Sequence, residues 1–372
     1  MNIRNIWLLS LSDTFEPKGE AHQLTTDGDF VREPQWTADG REILYASGNP
    51  LRSSIYRTPV DGSGHARLMA SLGDGATQPA LSAASRRLAY TRVFLNSNVW
   101  RLDTHAAGAP PERLISSTSR EAFPQYSPDG TRIVFYSNRS GLNQVWMCDA
   151  DGSRAAAVTA MEGTITGTPH WSPDGQRISF DSNTGGNWQI YVMDASGGKP
   201  RPLTSGPGTN VVSSWSRDGR SIYFMSHRTG EDQIWKAPVE GGPAVQVTRH
   251  GGSAALESAD GRTLFFTKTT GGAENSVWRM PVGGSEEAMV VPSIHRYNFA
   301  VADTGLYYNT PTTPDQPSTI EFLDFRTGKV TKLYTLPRPV DLGLSVSPDK
   351  RYILFTQMDF IGSDLMLVEN FK

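Results

Sequence analysis

One cysteine, Cys148, stands among 372 residues, so no disulfide can form within the chain and no metal cluster can be held by thiolates alone. No segment approaches the roughly 18 uninterrupted apolar residues that a membrane-spanning helix requires, and no span is expected. A surplus of either charge is missing too: 35 basic residues against 38 acidic ones leave a net charge of −3. Chains that neutralise nucleic-acid phosphates need clustered Lys and Arg, so nucleic acid is not an expected partner. The familiar catalytic signatures are absent: Gly-x-Ser-x-Gly, His-Glu-x-x-His, Cys-x-x-Cys, Gly-x-x-x-x-Gly-Lys-Ser/Thr and Gly-x-Gly-x-x-Gly. Their absence argues against the common hydrolase, zinc-protease, redox and nucleotide-binding classes. Residues 1–12 lack a small-residue cleavage pattern and read as a β-strand, not a signal peptide.

Against these absences stand 36 glycines, 24 prolines and 10% aromatics, enough apolar bulk for a core and too much for a disordered chain. Their placement is periodic. Gln35-Trp36-Thr37-Ala38-Asp39-Gly40 returns as Gln125-Tyr126-Ser127-Pro128-Asp129-Gly130 and as His170-Trp171-Ser172-Pro173-Asp174-Gly175. The anchors Asp39, Ala84, Asp129, Asp174, Asp218, Asp260, Asp303 and Asp349 are spaced 45, 45, 45, 44, 42, 43 and 46 residues apart. An aliphatic-aromatic pair keeps nearly the same period, at Ile6-Trp7, Ile55-Tyr56, Val99-Trp100, Val145-Trp146, Ile190-Tyr191, Ile234-Trp235 and Val277-Trp278. Eight copies of one structural unit are therefore expected.

Within residues 122–159, four β-prone runs are separated by turn signals. Ser-Pro-Asp-Gly joins the first two: proline pre-sets φ and glycine accepts the left-handed conformation that closes a hairpin. No window shows a sustained 3.6-residue apolar period, so helices should be nearly absent. A four-stranded meander cannot bury both faces alone, and radial stacking solves this. The fold class is all-β, a β-propeller of four-stranded antiparallel blades, with eight blades expected and seven the alternative, and residues 1–372 forming a single propeller. The repeated Trp and Tyr read as packing between blades. Residues 1–30 read as strands of a closing or preceding blade: residues 21–25 could supply the outer strand of the last blade, while residues 4–11 compete with residues 364–368 for its third place. That surplus strand suggests a chain cut from a longer one.

The repeated Trp/Tyr-Ser-Pro-Asp-Gly, the Ser137-Asn138-Arg139-Ser140-Gly141 loop, the Gln-Ile/Val-Trp/Tyr run and the closing Leu/Val-Thr resemble the TolB-type, WD-like propeller repeat over about residues 31–357. More narrowly, the order of features from Asn98-Val99-Trp100 through Val247-Thr248-Arg249 to Gly362-Ser363-Asp364-Leu365 resembles the carboxy-terminal propeller region of bacterial winged-helix transcriptional regulators. No helical segment here could be the winged helix, so no DNA-binding role transfers. Departures from the pattern, such as Ala84-Ser85 in place of Asp-Gly, bear on the regularity of single blades.

Fold resemblance does not fix function. Innermost strands line a propeller axis, and the positions before each turn read Gln35, Ala80, Gln125, His170, Ser214, Leu256, Phe299 and Ser345. Gln35, Gln125, His170 and Ser214 are the axial-channel candidates. With His170 the one imidazole in this series, a three-histidine metal site is not available from it. The Asp149-Ala150-Asp151-Gly152 turn lacks the distal acid of an EF-hand. No cofactor and no metal are expected. Loops after the second strand share one face and carry Arg139, Trp188, His227 and Arg228, of the types that dominate interfaces; Ser182 to Trp188 and Thr270-Gly271-Gly272 belong to the same series. The reading is a non-enzymatic, monomeric scaffold or sensor region of a larger bacterial regulator, binding a protein, peptide or small ligand on that face. Alternatives are a propeller enzyme, either a metal-dependent lyase or a peptidase-associated propeller, and a TolB-like component of an envelope complex. The compartment is periplasmic if the chain belongs to a membrane-anchored regulator and cytoplasmic if it is complete as given.

Overall fold

The computed structural model of the chain describes residues 4–25, 31–48, 53–73, 75–82, 84, 86–106, 108–161, 166–184, 186–206, 208–271 and 274–371. Ser85, Gly185 and Gly272, quoted above, lie outside them. Strands and turns make up the described residues, with one short 3-10 turn at Ala70–Leu72; among them no helix is long and apolar enough to cross a membrane. The chain divides into two compact units, residues 1–95 with 360–372, and residues 96–359.

In the second unit five successive antiparallel sheets have four strands each, in simple meander order. The first runs Glu121–Tyr126, Arg132–Ser137, Gln144–Asp149 and Ala156–Ala157. Its opening turn shows why the motif recurs. Ser127 Oγ donates to Asp129 Oδ1 at 2.5 Å, the same carboxylate oxygen accepts the Thr131 amide at 3.0 Å, and Gly130 sits at φ 73°. The bonded Ser127 hydroxyl holds the Asp129 carboxyl below its ordinary pKa. Residues 172–177, 216–221, 258–263 and 347–352 repeat this arrangement.

The sixth sheet is built from both sides of the others: Val340–Val346, the 352–359 part of Tyr352–Val368, the 96–103 part of Arg87–Asp103, and Glu112–Ile115. Inner strands touch in order, and Val340–Val346 returns against Glu121–Tyr126. The ring of this unit thus closes on six sheets, carrying the anchors Asp129 to Asp349, whereas Asp39 and Ala84 fall in the first unit. Apolar clusters fill the space between neighbouring sheets. Val134 and Val145 of the first sheet pack with Trp171, Ile178 and Phe180 of the second, and Ile190 and Val192 of the second with Trp215, Ile222 and Phe224 of the third. Each such side chain, fully buried, stabilises the fold by about 1.5–3 kcal/mol.

Closure differs from the sequence expectation. Residues 21–25 do not complete the last sheet of the ring; its outer places are held by residues 96–103 and Glu112–Ile115. Polar bonds explain the choice. Arg351 reaches Asp103 at 2.9 and 3.1 Å, the Thr104 amide donates to the Arg351 carbonyl at 2.8 Å, and Asn98 Nδ2 donates to Asp359 at 2.6 Å. Beside this seam the buried Arg120 guanidinium grips Asp341 with two bonds of 2.6 Å.

The first unit holds a four-stranded sheet, Arg32–Trp36, Glu42–Ser47, Ser54–Pro59 and Arg67–Leu68, and a second of Ala76–Ser82 with residues 87–95 and 360–368. Leu44, Ile55, Leu72, Leu88 and Tyr90 are buried between them. Trp7–Leu11 and Pro17–Gln23 pair with each other in a separate two-stranded sheet.

Candidate functional site

Register in the second unit places the start of each inner strand beside the end of the second strand: Glu121 faces Ser137, Thr166 faces Ser182 and Asn210 faces Ser226. The loops after the second strands therefore share a face with the upper ends of the inner strands, and Arg139, Trp188, His227 and Arg228 all lie on it. They are not equivalent. Arg139 lies over the Trp146 ring at 5.0 Å and pairs with buried Glu121 at 2.9 Å. Arg228 lies over Trp235 at 4.5 Å and donates to Asn210 Oδ1 at 2.8 Å and Ser226 Oγ at 2.9 Å. Both cations roof the periodic tryptophan of their own sheet. Lys268 does the same over Trp278 at 4.3 Å. In the sheet of residues 166–202, where Thr184 stands at the Arg position, Tyr191 stacks on Phe180 instead. His227 is half-exposed and bonds Asp232 through Nδ1 at 3.1 Å. Trp188 anchors the next sheet with its backbone, its carbonyl accepting the Asn210 amide at 2.9 Å. Its half-buried ring has no stacking partner among the described residues.

The axial candidates of this unit tie neighbouring sheets together. Gln125 Oε1 accepts the Trp171 amide at 2.7 Å, which leaves its Nε2 facing His170 Nδ1 at 2.8 Å. The amide must donate, so His170 carries its proton on Nε2 and is neutral; burial holds its pKa down at about 4. Ser214 Oγ donates to the Ala255 carbonyl of the following sheet. Gln35 belongs to the first unit, where its Nε2 donates to the Pro34 carbonyl at 3.0 Å. Among the described residues no group of three or more His, Cys, Asp or Glu could hold a metal. At the Asp149 to Gly152 turn, Asp151 accepts the Ser153 amide at 2.9 Å and Asp149 pairs with Arg154.

More unusual chemistry sits where the inner strands bulge. Phe123, Thr168 and Val212 adopt φ of 51°, 41° and 55° at the bulges of three consecutive inner strands. Left-handed backbone is costly for any side chain and most of all for β-branched ones. A buried carboxylate stabilises two of them: Asp181 accepts from Thr168 Oγ1 and from the Val212 amide, the latter at 2.9 Å. Burial pushes Asp181 up to about 6. On the same end of the ring, buried Asp341 is held by Arg120, and Ser97 Oγ donates to it at 2.8 Å. Burial raises the neighbouring Tyr297 phenol and lowers the His295 imidazole to about 4. The sequence reading missed Asp181, although a signal was present. Its register position, opposite the aliphatic member of the periodic pair, is Tyr136 and Met225 in the flanking sheets.

The TolB β-propeller domain family matches residues 160–306. A structure described as TolB from Agrobacterium tumefaciens superposes with a TM-score of 0.59 at 20% identity, covering 71% of this chain and 98% of its own. TolB from Acinetobacter baumannii matches with a TM-score of 0.51 at 16% identity over 89% of this chain and 81% of its own. At these identities the likeness shows the fold, a TolB-type β-propeller.

Proposed function

We propose that this TolB-type propeller is a non-enzymatic binding scaffold that takes a protein, peptide or small ligand on the loop face of the second unit, as the sensor or interaction part of a larger bacterial regulator. The observation that carries the reading is the strained bulge set, Phe123, Thr168 and Val212, the last two of them stapled by the buried Asp181 carboxylate. Backbone held in a costly conformation by a dedicated buried group is typical of ligand-contacting surfaces. Trp188 and His227 flank it on the same face with ring surface to offer, and Trp is the side-chain type that most often anchors an interface. The regulator context rests on the resemblance of residues 98–371 to the propeller region of such proteins.

The test is a screen of the full chain against peptide and metabolite panels, with hydrogen exchange locating each hit. A bound ligand should slow exchange at residues 166–171 and 210–215, and Trp188→Ala should weaken it roughly tenfold or more. Ligands that protect only other surfaces, or that are chemically converted by the chain, would refute the reading.

A further inference from the structure

A cleft of about 650 Å3 opens between the second and third sheets of the ring, at the end that carries the turns between first and second strands. That end is opposite the loop face, so the cleft is separate from the surface on which Trp188 and His227 stand. Pro173 and Arg177 wall it on one side, and Arg217, Arg220, Val239 and Glu240 on the other. Its volume is in the range of sites that take small molecules.

Most of the charge that lines it is committed. Arg177 lies over the Trp215 ring at 5.1 Å and pairs with Glu240 at 3.0 Å. Asp174 Oδ1 accepts Ser172 Oγ and the Gln176 amide at 2.5 and 3.0 Å, and Asp218 Oδ1 accepts Ser216 Oγ and the Arg220 amide at 2.6 and 3.0 Å. Two cations remain: neither the Arg217 nor the Arg220 guanidinium has a hydrogen-bond or ion-pair partner among the described residues. The turn does not need them. It keeps the same bonds where Pro128, Pro173 or Ala259 holds the Arg217 position, and where Thr131 or Gln176 holds that of Arg220. The backbone of Arg217 is nonetheless fixed, its amide donating to Glu257 Oε2 at 2.6 Å.

The sixth sheet shows what an arginine at this position takes. Arg351 follows the turn residue Lys350 as Arg220 follows Gly219, and its Nε and Nη2 both donate to Asp103 Oδ2, at 3.1 and 2.9 Å. Asp103 stands three residues beyond the periodic Trp100; three residues beyond Trp235 the third sheet has Pro238, which offers no carboxylate. The geometry points to a binding site for an oxyanion, the carboxylate or phosphate group of a small molecule, held by Arg217 and Arg220 in place of the acid that the sixth sheet supplies itself. Guanidinium groups recognise such anions through paired N–H donors. Arg177, Arg217 and Arg220 are balanced in the lining by Asp174, Asp218 and Glu240. No long-range field therefore draws in a polyanion, and recognition rests on these contacts. The site does not depend on the loop-face reading.

The probes are inorganic phosphate and succinate, titrated separately into the full chain and followed by calorimetry and by the Gly175 and Gly219 amide resonances. At least one should bind at millimolar concentration and shift both resonances. Arg220→Gln, the residue of the second sheet, and Arg217→Ala, the residue of the fourth, should each weaken binding roughly tenfold with the urea midpoint unchanged. Arg262→Gln is the control: Arg262 holds the Arg220 position in the fourth sheet, where Ala259 stands in place of a second arginine, and its loss should leave binding as it was. Tighter binding of phosphate assigns the site to a phosphoryl group and tighter binding of succinate to a carboxylate, while equal binding assigns it to either oxyanion. No binding of either probe at that concentration, binding that survives both cleft substitutions, or equal loss in Arg262→Gln would overturn the proposal.

Discussion

A single backbone conformation recurs at the tips of the sheets, and one residue breaks the pattern. The turn glycines Gly40, Gly130, Gly175, Gly219 and Gly261 sit at φ between 68° and 73°, and Lys350 occupies the same place at φ 62°. A side chain in the left-handed region costs about 1–2 kcal/mol. Lys350→Gly should therefore stabilise the chain by about 1 kcal/mol in urea titrations, since the exposed ion pair it forgoes with Asp303 contributes little. Arg139 works in the other direction. Because Glu121 is fully buried beneath it, Arg139→Ala leaves a carboxylate without its cation and uncovers Trp146. A loss of about 2–3 kcal/mol in unfolding free energy is expected, and no loss would mean that the pair is idle. The sequence marked Arg139 and Arg228 as contact residues because it does not show that each side chain folds back over the periodic tryptophan seven positions on, or that Glu121 and Asn210 stand beside them. In the fold both cations are committed.

Between elements, the ring of the second unit depends on one buried ion pair beside its seam. Asp341→Ala strands the Arg120 guanidinium and should cost about 3–5 kcal/mol, while replacing both residues by apolar ones should recover most of that loss. Equal losses in single and double variants would show that shape, not charge, holds the contact. Buried titrating groups on the inner strands and at their mouth give the ring a pH dependence whose sign can be worked out. His170 and His295 are lowered to about 4 from 6.5, so the stability they carry is full above pH 6.5 and is lost as the pH falls towards 4. Asp181, raised from 3.8 to about 6, acts oppositely, its contribution declining as the pH rises from 4 through 6. Two histidines outweigh one carboxylate, so acid should destabilise. His170→Gln should flatten that limb by up to one proton and Asp181→Asn should steepen it, in urea midpoints measured from pH 4 to 7. Strands, turns and repeat phase were legible because they are set by residues within a few positions of one another. Closure was not. The reading took residues 364–368 as a separate third strand of the last blade, but Tyr352–Val368 is one strand, and its partner Arg87–Asp103 is equally long. Which distant strand completes which sheet is decided by contacts such as Arg351 to Asp103, which no local pattern encodes. The candidate site was legible to the same degree: the loop face and the Gln125 to His170 position could be read from the repeat, whereas Asp181 acts through the Val212 amide of another sheet.

For the molecule as a whole, the two units differ in how completely their sheets are covered, and this sets their relative stability. Each of the six sheets in the second unit has a neighbour on both faces, joined by apolar clusters that run around the ring. Among its described residues the first unit has two apolar clusters and leaves Trp36, Leu365 and Leu367 at 55%, 80% and 57% exposure. Buried apolar area is the main favourable term in folding, so the first unit should open at lower denaturant. Unfolding of the full chain in urea is expected to be biphasic, with exchange at residues 42–59 rising in the first step and exchange at residues 177–194 in the second. A single coincident transition by both probes would show that the chain folds as one cooperative body.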